Sequence, residues 1–273
     1  MRSCYKKKIA RVSFVLAIAT ALPCASASED TCPPGQPGPV SPARRKEAAA
    51  LHRRAEQFFN ADDRAAARAT LQRAEALLGG VYSQELSAIL SLQAEIDKSQ
   101  DLARARIAQL RALDIDRCLG GPTSNDLIVD YQILSEIEDA LREPEAIPHA
   151  RDAVALCDRL PRVEDRPADC ADARNVLAIL LQRQGDFDEA AVLFQQAIAE
   201  GKLLRKEKVP VYLQNLATLR NETGALEEAV RLLEEVRQSL ADSSPDLPTI
   251  VANLAAAYET LGDWQARTGN RAK

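Results

Sequence analysis

The chain has 273 residues, of which 46% are hydrophobic, 27% charged and 4% aromatic, and its formal net charge is −5. That balance excludes a disordered polyelectrolyte, a collagen-like chain and a polytopic membrane protein, and it gives no electrostatic reason to expect nucleic acid as a partner. With 5 Phe, 5 Tyr and 1 Trp, a core of this size has to be built mainly from Ala and Leu, residues that favour helices over sheets.

Residues 1–27 read as a secretory signal peptide. Arg2, Lys6, Lys7, Lys8 and Arg11 form a basic start, Val12 to Leu22 an apolar run broken by Ser13 and Thr20, and Ala25-Ser26-Ala27 a small-residue site with cleavage before Ser28. A membrane anchor needs about 20 apolar residues and this run is near half that, so no stable anchor is expected after cleavage. Pro23 disfavours the competing lipoprotein site at Cys24. The expected location is therefore secreted or periplasmic, where thiols are oxidised. Of the 35 Lys plus Arg, five leave with the signal, and none of the 40 Asp plus Glu does, so −5 becomes −10. Such a chain repels nucleic acid and anionic lipid and attracts basic partners over long range.

A Pro-rich tail, residues 28–41, precedes a helical repeat region expected over 42–264. Apolar residues recur at helical spacing, and no window alternates as a strand would. Ala55, Phe58, Ala67, Leu71 and Ala74 phase as one helix pair, Leu92, Ala105 and Ala112 as a second, and Ile133, Ala146, Ala150 and Ala153 as a third. Two clearer copies follow. Asn175 to Ala178, Gly185, Phe187, Ala190, Phe194 and Ala197 are echoed by Asn215 to Ala217, Gly224, Ala229, Leu233 and Val236. A further copy begins at Asn253 and runs to Gly262 and Trp264, so the glycines fall 39 and 38 residues apart. Gly79-Gly80, Cys118 to Asn125, Leu160 to Ala168, Gly201 to Pro210 and Ala241 to Pro248 are the breakers between copies. Pro210 and Pro248 sit where a helix begins, a place that tolerates the missing N–H. Pro248 to Leu261 reads as a terminal capping helix and 265–273 as a C-terminal tail.

Four cysteines remain after the signal, Cys32, Cys118, Cys157 and Cys170, which allow three pairings. Cys157 and Cys170 flank a proline-containing connection, so their disulfide is sterically easy; Cys32 with Cys118 is left by elimination. No C-x-x-C or paired His favours zinc instead.

The copies from Asn175 onward resemble the tetratricopeptide repeat family. Leu177, Ala178, Gly185, Phe187, Ala190, Phe194 and Ala197 stand at its signature positions, as do Leu216, Ala217, Gly224 and Ala229. The period of about 40 is wider than the usual 34 and is similar to the longer repeats of kinesin-light-chain-like relatives; armadillo or HEAT-like repeats share that length, but not the Gly-x-aromatic turn. The resemblance implies an all-α, right-handed superhelical solenoid of about five antiparallel helix pairs plus a C-terminal capping helix. Small residues let the two helices of a pair approach, Gly ends the first helix in a left-handed conformation, and Asp186 with Glu189 forms a capping box.

It also implies that the first helix of each pair lines a concave groove that takes a peptide or protein partner. On the family phasing, the groove positions are Tyr131, Gln132, Ser135 and Glu138 in the third pair and Asn175, Ile179, Gln182 and Arg183 in the fourth. Gln214, Asn215, Thr218 and Asn221 follow in the fifth, then Asn253. Asn at the place of Asn215 and Asn253 bonds a ligand backbone in the family, and Asn175 is one residue out of that register. The competing reading is that these amides solvate the helix or bond within the array.

No enzyme is expected. His52 and His149 stand in no metal or nucleophile motif, and H-E-x-x-H, G-x-S-x-G and P-loop patterns are absent. Carboxylates such as Glu227 with Glu228 read as solvated faces, and Lys202 to Lys208 as a basic helix end or a dock for an acidic partner. Neither a cofactor nor a metal is implied. The function expected is a non-catalytic interaction scaffold with a basic partner; the rivals are a structural subunit of an envelope assembly, self-associating through its C-terminal end, and an unrecognised enzyme.

Overall fold

The computed structural model describes residues 40–160, 162–240 and 247–269. The expected signal peptide, most of the Pro-rich tail and Cys32 lie outside these residues. Eleven α-helices and two 3-10 turns, with no strand among the described residues, make five helix pairs and a final helix. The pairs are α1 (Pro42–Asn60) with α2 (Arg64–Leu78), α3 (Gln84–Asp97) with α4 (Leu102–Gly120), and α5 (Asp126–Leu141) with α6 (Ala146–Asp158). They continue as α7 (Asp169–Gln184) with α8 (Phe187–Leu204) and α9 (Val209–Glu222) with α10 (Leu226–Ser239), closed by α11 (Leu247–Gly269). No helix among the described residues is long and apolar enough to cross a membrane.

Alanine is what lets each pair close. Ala55, Ala67, Ala74, Ala105, Ala112, Ala150, Ala153, Ala190, Ala197, Ala217 and Ala229 are all buried, so backbones approach without large side chains between them. Leu and Ile fill the remaining space. One cluster runs through α1 to α4 and a larger one from α5 to the start of α11.

Packing is also what sets the inner and outer faces. The first helices of successive pairs touch one another, α1 with α3, α3 with α5, α5 with α7 and α7 with α9, while the second helices make no comparable contact among themselves. The first helices therefore lie on the shorter, inner arc, and their exposed face is concave.

Each turn inside a pair needs a residue that leaves the helix sharply. Gly185 and Gly224 do so at φ 96° and 80°, as expected. The first and third pairs, which lack a turn glycine, use other residues in the same left-handed region, Asp62 at φ 59° and Arg142 at φ 60°, whereas α3 ends at Lys98 with φ −48°. Two expectations about local structure are corrected. Asp186 is the N-cap of α8 but its side chain accepts no capping bond; Glu189 is instead held by Arg151 of α6 in a two-bond fork of 2.6 and 2.8 Å. Gly262 is not a turn: α11 continues through it to Gly269, so the segment expected as a tail from 265 begins as helix. No second helix follows among the described residues for a turn at Gly262 to pack.

The connection between the third and fourth pairs is the most heavily fastened. Cys157 and Cys170 form the expected disulfide, with Cα atoms 5.7 Å apart. Beside it, buried Arg174 donates to Glu200 (3.0 Å) and Asp158 (2.6 Å), and Arg166 pairs with the same Glu200 while donating to the Leu160 carbonyl (2.8 Å). Cys118, at the end of α4, is also disulfide-bonded.

Candidate functional site

The expected groove residues divide by what they touch. Asn175 and Asn215 come together: Asn215 Nδ2 donates to Asn175 Oδ1 at 2.8 Å, joining α7 to α9. Gln182 Nε2 donates to Glu222 Oε2 at 2.7 Å across the same two helices, and exposed Arg183 pairs with Asp139 of α5. These side chains are rungs between inner helices. Gln132 and Gln214 are half-buried on the same layer.

Three expected groove positions face elsewhere. Tyr131 stacks on His149 of α6 at 5.7 Å, and its hydroxyl accepts from Arg117 at 2.9 Å; it lines a hollow with Asp152, Leu156 and Arg159 rather than the groove. Glu138 is fully buried, held by Arg106 (3.1 Å) and His149 (2.6 Å). Ser135 is also fully buried and donates to the carbonyl of Gln132 at 2.8 Å. All three lie on the inner helix α5 as the family phasing has it, but Tyr131 and Glu138 meet their partners on the second helices, Arg117 and Arg106 on α4 and His149 on α6. The basic stretch at 202–208 is likewise spoken for in part, since Arg205 bonds Asp169 and Asp172, both at 2.6 Å.

Thr218, Asn221 and Asn253 do share a space. With Ala217, Ala256, Ala257 and Thr260 they line a hollow of about 180 Å³ between α9 and α11. These three expected positions thus lie together beside α11.

A larger part of the groove was not foreseen. Between α3 and α5 a hollow of about 310 Å³ is lined by Gln84, Ser87, Ala88 and Ser91 on α3, Asp116 on α4, and Asp126, Val129 and Asp130 on α5. It adjoins a second hollow of about 260 Å³ against α1, where Gln84 and Ala88 are shared with His52 and Arg53. Helical geometry explains the opening: residues 84, 87, 88 and 91 fall on one face of α3, and all are small or narrow, so nothing fills the space before α5. The signal available in the sequence was the small-residue stripe facing the i, i+4 carboxylates Asp126 and Asp130. Asp116 comes from another helix and is legible only in three dimensions.

The floor of this hollow is electrostatically unusual. Asp130 is only 2% exposed. Its Oδ1 accepts from Gln109 Nε2 at 2.7 Å and from Ser91 at 3.5 Å, whereas its Oδ2 meets no donor among the described residues. Asp116 Oδ2 accepts from Ser87 at 2.6 Å. Burial, and then the charge of Asp116 beside it, pushes the Asp130 carboxyl up to about 8; burial also raises Asp116. Near neutral pH the two carboxyls therefore hold one proton between them. No group of three His, Cys, Asp or Glu among the described residues is placed to hold a metal ion.

Residues 173–206, which are most of α7 and all of α8, match the model of the tetratricopeptide repeat. One repeat of the tetratricopeptide type is thus matched, within a solenoid of similar helix pairs. The solved structures agree on the fold. BtubC from P. vanneervenii is 19% identical, with 72% of this chain and 91% of that one covered at a TM-score of 0.58. A putative kinesin light chain of Podosopora anserina with nearly identical TPR-like repeats is 22% identical, covering 68% and 93% at 0.57. PilW, a type IV pilus biogenesis factor, is 18% identical, covering 81% and 94% at 0.57. No curated protein matches the chain significantly by sequence.

Proposed function

We propose that this solenoid is a non-catalytic scaffold that works outside the cytoplasm and receives a basic segment of a partner protein along its concave groove. The observation that carries the reading is the open, acid-floored trough between the first helices of the opening three pairs, in a fold whose purpose is to present such a surface. Its polarity suits a cationic partner, and the net charge of −10 expected after signal cleavage draws one in. The extracytoplasmic location is supported by the signal-like residues 1–27 and by the Cys157–Cys170 disulfide, which persists in oxidising compartments.

The test is steric and independent of charge. Ala88→Trp fills the trough and Ala256→Trp the α9–α11 hollow; each is an exposed or half-buried groove position. Capture from envelope extract by the wild-type chain is expected to be lost with Ala88→Trp. Retention of every captured protein by both variants overturns the groove reading. Amino-terminal sequencing of the secreted chain is expected to begin at Ser28.

A second reading, self-association through α11, is favoured by one observation: Val251 and Tyr258 are each 47% exposed on that helix. Light scattering after size exclusion decides it, since a monomer that stays monomeric on concentration contradicts it.

A further inference from the structure

We infer that the trough between α3 and α5 is a built receptor for one lysine or arginine side chain, with Asp116 and Asp130 taking its charge and Ala88 and Val129 flanking its stem. The inference rests on the groove reading and adds the residue-level chemistry of what enters.

Four observations converge on it. First, the hollow combines apolar lining at Ala88 and Val129 with the carboxyls of Asp116 and Asp130; an aliphatic stem with a cationic tip matches that combination. Second, Asp130 Oδ2 is buried and meets no amide, hydroxyl or basic donor among the described residues; its neighbour is the Asp116 carboxyl, with which it shares a proton. Two acceptors that face each other leave room for a donor, and a cationic N–H is the strongest one. Third, no basic side chain is among those lining the hollow, so the positive charge has to come from outside. By contrast Glu138, Asp139, Asp158, Asp169 and Glu200 are each met by an arginine of this chain. Fourth, the site does not suit a bare metal ion. Calcium takes six to eight oxygens, and no set of three ligating side chains is assembled among the described residues.

In the empty site the proton shared by the two carboxyls stands where the ligand cation will be. Entry of an ammonium or guanidinium group releases that proton, because both carboxylates are then stabilised in the charged form. The groups that face the pair do not disturb this exchange. On α3 they are Gln84, Ser87 and Ser91, which carry no charge; on α4 Gln109 is neutral; on α5 Asp126 is acidic and reinforces the preference for a cation. Binding below the Asp130 titration therefore expels one proton per cation, and affinity rises with pH until that carboxyl is already ionised.

The probe is a dye-labelled, acetylated hexalysine amide, followed by fluorescence anisotropy with the purified chain at constant ionic strength. Affinity is expected to increase by about tenfold from pH 6 to pH 7, the slope for one released proton, and to level off above pH 8. Calorimetry in two buffers of different ionisation enthalpy is expected to show that proton directly. Asp130→Asn keeps an acceptor for Gln109 and gains a donor toward Asp116, so it folds; it is expected to lose tenfold or more of the affinity at pH 8, on the order of one charge-assisted bond, and to abolish the pH slope. Glu227→Gln on exposed α10 removes the same charge and is expected to change neither. If Asp130→Asn and Asp116→Asn both bind hexalysine as the wild type does, with the same slope, the site is overturned. So it is if calcium chloride displaces the peptide at micromolar concentration, or if the wild type does not bind hexalysine at any pH. In those cases the groove reading still stands or falls on the Ala88→Trp capture, which does not depend on charge.

Discussion

Between α7 and α9 the inner helices are laced together. Asn215 bonds Asn175 at 2.8 Å and Gln182 bonds Glu222 at 2.7 Å, so the amides that lie on the concave layer are already engaged. Between α3 and α5 the layer is tied firmly at one end, where Lys98 donates to Glu136 at 2.6 Å, and otherwise only by the long 3.5 Å bond from Ser91 to Asp130; around that bond lies the acid-floored trough. The same repeat architecture thus spends its inner polar groups on cohesion in one half and leaves them open in the other. Binding capacity in a solenoid need not follow the quality of the repeat signature: the best-formed pair here is the most self-satisfied.

Breaking the tie between the two halves has the largest expected effect. Arg174 is 3% exposed and serves both Glu200 and Asp158, so Arg174→Met leaves a buried carboxylate short of a partner and is expected to cost about 3 kcal/mol in urea unfolding. Removing the neighbouring disulfide with Cys157→Ser and Cys170→Ser together frees the connection in the unfolded chain and is expected to cost a similar amount, about 3 kcal/mol. If both changes leave the unfolding midpoint in place, the halves are not held there.

The open half is probed by pH. In the folded chain Asp130 keeps its proton up to about pH 8, whereas in the unfolded chain it ionises near pH 4. The folded chain therefore holds the extra proton between those values, and stability falls as pH rises through that window before levelling off. Asp130→Asn lacks this loss, so its melting temperature is expected to gain on the wild type steadily from pH 5 to pH 8. An unchanged difference across that range removes the buried-acid account of the trough.

The smallest effects concern the turns. Arg142 adopts φ 60° where Gly185 adopts 96°, and a left-handed non-glycine residue carries a cost of about 1 kcal/mol or somewhat more. Arg142→Gly is expected to stabilise by up to about 1 kcal/mol and Gly185→Ala to destabilise by about the same. Equal behaviour of the two sites contradicts the view that the early pairs use the same turn with a less suited residue.

These turns also explain what the sequence could reveal. Helix pairing, the capping helix and the Cys157–Cys170 bridge were legible because each rests on local signals: alanine spacing, turn residues and a short loop. The early pairs were fainter because Asp62 and Arg142 do by context what glycine does by nature. The trough was missed for a different reason. Asp130 sits among Ile128, Ile133 and Leu134 and reads in one dimension as an ordinary polar position on an amphipathic helix. Only the approach of Asp116 from α4 and the small face of α3 make it a buried acid. Tyr131 and Glu138 show the reverse case, positions that a family phasing assigns to the groove but whose side chains are engaged by α4 and α6.

The central claim is that ligand enters the open half and not the laced one. Amide resonances recorded during a hexalysine titration at pH 8 test it most directly. The account predicts shifts confined to residues 84–91, 116 and 126–130; shifts centred on 215–221 and 253–260, with the trough silent, contradict it.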